Sequence, residues 1–155
     1  MNVNGAIFST SKAIGVGVSI RDNEGRVEAT LSKKLPVPLG PLETKAKALE
    51  EGVQFVWDVG IRDIILEYDS KIVSEAMGGF SDPHVSISKV IDGIRVKMQD
   101  FRRFEVSHVK RYGNHLVHLL ACYPKNILDY VAWIEKNPIM IESPLIQDVM
   151  FLFSP

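Results

Sequence analysis

The stretch Gly60–Ser74, with the sequence GIRDIILEYDSKIVS, organises the prediction of the fold. Its β-branched, apolar run from Ile61 to Leu66 follows a glycine that ends a helix and is too short to be helical, so it predicts a buried central strand. Asp69 follows at the carboxyl end of that strand, and Ser70 is a typical helix N-cap. Because open α/β sheets place their chemistry where strands end and helices begin, this junction is the first candidate for a functional site.

Upstream of the central strand, three runs bounded by glycine or polar turn residues predict strands: Val3–Phe8, Ile14–Ile20 and Arg26–Leu35. The polar residues 22–25 between the second and third runs predict a hairpin. In the second run, branched apolar residues alternate with small ones, which predicts one apolar face and one face that packs closely on a helix.

Four helices are predicted around these strands, together with a fifth strand at Phe104–Val109. The first helix runs from Leu42 to Gly60, the second ends at Gly78, the third begins with Asp82 as cap and Pro83 in its first turn and continues to Phe101, and the fourth runs from an Asn114 cap to Tyr123. The order βββ-α-β-α-α-β-α predicts an α/β fold in which antiparallel strands 1–3 continue into a mixed five-stranded sheet flanked by helices.

The size and composition of the chain favour one domain. With 155 residues and 46% hydrophobic content, the chain is long enough for one core and too short to suggest two. We expect a domain over residues 1–124 and a C-terminal extension, 125–155, docked on it. The single cysteine, Cys122, lies in an apolar helical setting and favours an intracellular location, cytoplasmic or nuclear. No stretch has the length of a spanning helix, so we expect no membrane association.

The net charge of −1 argues against a strongly cationic nucleic-acid binder, although basic residues cluster locally. The cluster consists of Arg95, Lys97, Arg102, Arg103, Lys110 and Arg111. It is either a surface that follows a nucleic-acid backbone or a solvated face balanced by Asp92, Asp100 and Glu105. We favour the solvated face. His108 and His118 likewise read either as a metal-binding pair or as hydrogen-bonded structural residues, and we favour the structural interpretation.

Several residue strings, in this order of elements, resemble the ribonuclease H superfamily, and most closely the plant ribonuclease H-like domains related to retroelement reverse transcriptases. The strings are Val3-Asn4-Gly5-Ala6, Gly15 to Asp22, Pro41 to Gly52, Glu67-Tyr68-Asp69-Ser70, His108-Val109 followed by Asn114, and Trp133-Ile134-Glu135 with Pro138. The resemblance covers nearly the whole chain and implies a ribonuclease H-like fold. It also implies hydrolysis of the RNA strand of RNA–DNA hybrids by two Mg²⁺ or Mn²⁺ ions held between four carboxylates.

Only one of those four carboxylates is present here. The resemblance places Asn4, Lys45, Asp69 and His118 at the four positions, so Asp69 is the only retained acid. Lys45 lies three residues after Leu42 and four before Leu49, which predicts that it turns toward the packed side of the first helix. A lysine has three hydrogen-bond donors and no acceptor, so it would repel a metal ion. We therefore expect no bound metal, with Asp69 as the ligand if any ion binds.

These substitutions favour a domain that has lost most or all two-metal nuclease activity. With His118 neutral, the four positions carry a summed charge of about zero, too little to offset two divalent cations. Our hypothesis is that the Lys45 ammonium pairs with the Asp69 carboxylate. The domain would then bind nucleic acid or another protein. The alternative is an active endoribonuclease on RNA–DNA hybrids with an altered site that uses Mg²⁺ or Mn²⁺.

Overall fold

The computed structural model describes residues 1–68, 70–79, 82–108, 115–126 and 130–134, with only the backbone for 72, 74, 108, 125 and 126. Its strands are β1 (Asn2–Phe8), β2 (Ala13–Arg21), β3 (Val27–Leu35), β4 (Asp63–Tyr68), β5 (Arg103–His108) and β6 (Tyr130–Ile134). They form one mixed sheet in the order β5-β4-β1-β2-β3-β6. β4 lies parallel to both β1 and β5, and the other neighbours are antiparallel.

The described part of the chain also forms α1 (Pro41–Asp58), α2 (Lys71–Gly78), α3 (Ser88–Met98) and α4 (His115–Cys122), the last continuing into a 3₁₀ turn, Tyr123–Asn126. Helix α1 ends in a Schellman motif, in which Ile61 N–H donates to Val56 O and Gly60 N–H donates to Trp57 O. Gly60 has φ of +91°, a conformation that favours glycine. The chain therefore turns sharply from α1 toward the central strand.

The two faces of the sheet carry different helices. Branched residues of β2, Ile14, Val16, Val18 and Ile20, are almost fully buried in the main core with Leu49, Val53 and Val56 of α1. On the other face, α4 lies against the glycines of β2: a Cβ on Gly15 would lie 1.9 Å from Ala121 O, and one on Gly17 would lie 2.2 Å from Val117 O. The predicted small-residue face of the second strand thus allows α4 to approach the sheet backbone.

The predicted fold class is correct, but the structure differs from the prediction in the start of the central strand, the start of α3 and the number of strands. The central strand begins at Asp63 and not at Ile61, because residues 60 and 61 complete the end of α1. Helix α3 begins at Ser88 and not after an Asp82 cap. The ring of His84 accepts a hydrogen bond from Ser86 N–H at 3.2 Å, which closes a local turn before the helix.

The sheet has six strands and not five, because β6 pairs antiparallel with β3. Trp133 of β6 packs with Leu116, Val117 and Leu120 of α4 in a second, smaller core. The predicted Asn114 cap and most of the extension 125–155 lie outside the described residues, so the domain boundary and the docking of the tail stay predictions. Among the residues that are described, no helix is both long and apolar enough to span a membrane.

Candidate active-site crevice

Strand β1 pairs parallel with the end of β4. Their described ladder consists of Asn2 opposite Glu67, supported by a 3.2 Å hydrogen bond from Asn2 Nδ2 to Glu67 Oε2. At the end of β4, the Tyr68 hydroxyl donates to the carbonyl oxygen of Lys45 at 2.5 Å. This contact joins the end of the central strand to the first turns of α1. The candidate site, which we call the crevice, comprises the adjoining residues of β1, β4, α1 and α4 at the carboxyl end of β4, where a parallel sheet commonly holds functional side chains.

Asn4 and Gly5 of β1 face opposite sides of the sheet, and each lies against a different helix, α4 for Asn4 and α1 for Gly5. A Cβ on Gly5 would lie 2.8 Å from Thr44 Cγ2, so α1 lies directly against this point of the strand. On the other face, Asn4 Nδ2 lies 3.4 Å from His118 Nδ1 on α4. Asn4 Oδ1 accepts the Gly5 N–H at 2.9 Å. Two of the four positions implied by the resemblance, Asn4 and His118, therefore contact each other.

The second ring nitrogen of His118 lies beside Cys122, one turn further along α4. The distance from His118 Nε2 to Cys122 Sγ is 3.8 Å. Cys122 is exposed at the end of α4, where its neighbours Leu120 and Ala121 are buried. Sequence reasoning missed this contact, although residues four apart on a helix are neighbours and the spacing alone could have indicated it. Asn4, His118 and Cys122 thus form one chain of contacts, which we call the Asn4–His118–Cys122 chain.

Lys45 lies at the same end of the sheet, in the first turns of α1. Its side chain is half-buried, whereas its neighbours Thr44 and Ala46 are buried. Its backbone oxygen receives the Tyr68 hydroxyl, which fixes this turn of the helix relative to β4. Asp69, the next residue after Tyr68, lies outside the described residues. The ion pair between Lys45 and Asp69 therefore stays a prediction.

The described side chains of the crevice fit a pair of hard cations poorly. Mg²⁺ and Mn²⁺ prefer several carboxylate or carbonyl oxygens. Here the Asn4 oxygen already accepts a backbone N–H, its amide nitrogen faces His118, and Lys45 offers donors only. Within the described ranges, no three His, Cys, Asp or Glu side chains are grouped to share a metal ion.

Several members of the basic cluster are already paired. Arg102 makes two hydrogen bonds to the Asp63 carboxylate, and these hold the pKa of Asp63 below its ordinary value and raise that of Arg102. Arg103 forms an ion pair with Glu105 at 3.0 Å. The pairing with Glu105 was expected for a solvated face, whereas Asp63 was not among the predicted partners.

The remaining described members of the cluster also contact protein groups. Lys97 Nζ lies 4.3 Å from the centre of the Trp57 ring, and the Arg62 guanidinium lies 3.4 Å from the same ring. Arg95 lies against Gly79 at the end of α2. Lys110 and Arg111 lie outside the described residues. The part of the cluster that the structure describes is thus engaged in intramolecular contacts.

The six-stranded mixed sheet, with α1 on one face and α4 on the other, defines the class of ribonuclease H-like folds. Within that class, the chain belongs to the reverse transcriptase-like family, whose sequence profile matches residues 2–123. A comparison with curated proteins finds no match.

Solved ribonucleases H share this fold. The chain is 21% identical to RNase H1 from the halophilic archaeon Halobacterium salinarum NRC-1, with a TM-score of 0.72 over 77% of this chain and 91% of that chain. It is 20% identical to the N-terminal RNase H domain of rv2228c from Mycobacterium tuberculosis, with a TM-score of 0.70 over 80% and 90%. It is 15% identical to LC11-RNase H1 in complex with an RNA/DNA hybrid, with a TM-score of 0.68 over 77% and 90%. These likenesses establish the fold.

Proposed function

We propose that this domain is a ribonuclease H-like module that binds RNA–DNA hybrids without hydrolysing them by the two-metal route. The observation that carries the proposal is the 3.4 Å contact between Asn4 and His118. Two positions that the family resemblance assigns to metal-binding carboxylates are here an amide and an imidazole that contact each other. Neither brings a negative charge to the crevice, and the third position, Lys45, brings a positive one.

These four residues leave the crevice with too little negative charge for two metal ions. Two divalent cations carry a total charge of about +4, which the family offsets with four carboxylates. Asn4, Lys45, Asp69 and a neutral His118 together offset none of it. The free energy that the ions lose on dehydration is therefore larger than the free energy that they gain from binding in the crevice. Two-metal catalysis then lacks its cofactors.

Binding is the function that the remaining features support. LC11-RNase H1, which shares the fold, has been solved with an RNA/DNA hybrid, and a lysine in place of a glutamate makes the crevice more favourable for a phosphate backbone. A protein ligand is the competing possibility. It predicts that hybrid, duplex DNA and single-stranded RNA all fail to bind at physiological salt.

A cleavage assay with metal titration tests the loss of hydrolysis. End-labelled RNA in an RNA–DNA hybrid is incubated with excess protein and increasing Mg²⁺ or Mn²⁺. We expect the RNA to stay intact in the wild type. The variant that combines Asn4→Asp, Lys45→Glu and His118→Asp restores the implied carboxylates, and we expect it to gain metal-dependent cleavage.

The control for contaminating nuclease is Asp69→Asn, which removes the one retained acid. Cleavage that persists in Asp69→Asn comes from a contaminant and leaves the proposal intact. Cleavage by the wild type that Asp69→Asn abolishes would show an active altered site and would overturn the proposal.

A binding assay with the same labelled hybrid tests the second half of the proposal. Fluorescence anisotropy in the presence of EDTA measures affinity without any metal. We expect saturable binding of the hybrid at physiological salt. Absence of binding to all three nucleic acids would exclude the nucleic-acid role and favour a protein ligand.

A further inference from the structure

The Asn4–His118–Cys122 chain offers nitrogen and sulfur donors at the end of α4, and its His118–Cys122 contact has no part in the proposed hybrid binding. We propose that His118 Nε2 and Cys122 Sγ form a two-ligand site for a borderline or soft divalent cation such as Zn²⁺ or Co²⁺, completed by water. This site uses a different donor set from the four-carboxylate site of the family. Imidazole and thiolate are the ligands that Zn²⁺ prefers in proteins.

The distance between the two donors fits tetrahedral coordination. With Zn–N of about 2.0–2.1 Å and Zn–S of about 2.3 Å, tetrahedral geometry separates the two donor atoms by roughly 3.5 Å. The observed separation of His118 Nε2 and Cys122 Sγ is 3.8 Å. A small change in side-chain torsion closes the difference, so the helix needs no rearrangement to chelate an ion.

The location of the pair on α4 also favours a cation. His118 and Cys122 are four residues apart and therefore lie on the same side of the helix. Both side chains are exposed, so an ion from solvent can reach them.

The amide of Asn4 contacts His118 Nδ1, the ring nitrogen that does not bind the ion in the proposed site. Asn4 therefore lies where an outer-shell partner of the histidine would lie. Ligation through Nε2 puts the ring proton on Nδ1, which then needs an acceptor. Asn4 can supply Oδ1 only if its amide turns and gives up the hydrogen bond from Gly5 N–H. An aspartate has one oxygen for each of these two donors. The site therefore predicts that Asn4→Asp binds the ion more tightly than the wild type.

The test is a Co²⁺ titration of the reduced full chain, followed by the near-ultraviolet thiolate-to-cobalt charge-transfer band and by competition with Zn²⁺. We expect a saturable band that Zn²⁺ displaces. Cys122→Ser should abolish it, but Cys122 is the only cysteine, so this variant tests only whether the thiol binds. The decisive variant is His118→Gln, for which we expect an affinity lower by about tenfold or more.

His84→Gln is the matched control, because it removes another exposed histidine that lies outside the site and should leave the affinity unchanged. Asn4→Asp should raise the affinity by about tenfold. A second measurement is protection of Cys122 from iodoacetamide by Zn²⁺, which we expect in the wild type and not in His118→Gln or His118→Asn. If the His118 variants match the wild type in both Co²⁺ affinity and Zn²⁺ protection, the proposed site does not exist.

Discussion

At the scale of single residues, the two hydrogen bonds of Asn4 determine the state of the neighbouring imidazole. Because Asn4 Oδ1 accepts the Gly5 N–H, the amide group that faces His118 is a donor. His118 Nδ1 must then be the acceptor, which leaves the ring proton on Nε2, facing Cys122 Sγ. An aspartate at position 4 would instead offer an acceptor to His118 Nδ1 and so favour the ring proton on that nitrogen. The substitution of one carboxylate thus changes the chemistry of a second position as well.

This arrangement predicts the tautomer of His118 in the metal-free protein. In long-range ¹H–¹⁵N correlation spectra at alkaline pH, we expect His118 to carry its proton on Nε2. In Asn4→Ala the donor is gone, and the ring should shift toward the tautomer mixture of an unconstrained histidine. A wild-type spectrum with the proton on Nδ1 would show that the Asn4 amide is turned and that Gly5 N–H is not its partner.

The sequence predicts some of these residue contacts better than others. The resemblance implied that Asn4 and His118 share a site, and the structure places them 3.4 Å apart. Helical spacing predicted that Lys45 turns toward the packed side, and it is half-buried. Periodicity gives the direction of a side chain and not its depth, which depends on where the helix start lies relative to the sheet. The His118–Cys122 contact was missed, although the four-residue spacing on the helix was enough to predict it.

At the scale of elements, the sequence predicted best the parts whose signals are local. The hairpin of β2 and β3 and the end of α1 follow from turn residues and a glycine in the left-handed region. Strand β6 was missed because its place depends on pairing with β3, about a hundred residues earlier in the chain. Its alternating half-buried and exposed residues fit an edge strand, but nothing adjacent in sequence marks it.

The contact between β2 and α4 predicts a large effect of a small substitution. In Gly17→Ala the added methyl would lie 2.2 Å from the backbone oxygen of Val117, so α4 must move away from the sheet. We expect a loss of about 1–3 kcal/mol in the free energy of unfolding, measured by urea denaturation. Gly93→Ala on α3 is the control, because nothing lies within 4 Å of its Cβ, and it should stabilise by about 0.5–1 kcal/mol. Equal effects would contradict the close contact.

The hairpin turn predicts a pH-dependent contribution from Asp22. Its carboxylate accepts the backbone N–H groups of Arg26 and Glu24 and pairs with the Arg26 side chain, and these bonds lower its pKa below 3.8. Because the pKa is lower in the folded than in the unfolded protein, the ionised carboxylate stabilises the fold at pH values above the unfolded-state pKa. This contribution is lost as the pH falls through the folded-state pKa. The stability difference between wild type and Asp22→Asn should therefore be constant near neutral pH and shrink below about pH 4.

The Arg26→Gln background separates the two sources of this effect. The backbone N–H of Arg26 is the largest cause of the shift and is kept when the Arg26 side chain is replaced, so a pH-dependent difference should survive in Arg26→Gln. The measurement is a series of thermal or urea unfolding curves between neutral and acidic pH. Disappearance of the difference in Arg26→Gln would assign it to the ion pair.

At the scale of the whole molecule, charge is nearly balanced and is locally paired. The chain carries 18 basic and 19 acidic residues. On the surface that looked most basic in sequence, Arg102 and Arg103 contact Asp63 and Glu105. Counting residues along a sequence cannot reveal such pairing, because Asp63 is separated from Arg102 by 39 positions. A hybrid that lies on this described surface therefore meets arginines that already have carboxylate partners.

This balance predicts a shallow salt dependence and a specific ranking of variants. Each neutralised phosphate contributes about −0.9 to the slope of log K against log salt, and we expect a total slope shallower than about −3 in EDTA. Lys45→Gln removes one charge from the crevice, whereas Arg102→Gln with Arg103→Gln removes two that are already paired. If the hybrid lies at the crevice, the single substitution weakens binding more than the double one in anisotropy titrations. The reverse ranking would place the hybrid on the basic cluster, because paired arginines that exchange their carboxylate partners for phosphates would then supply the binding energy.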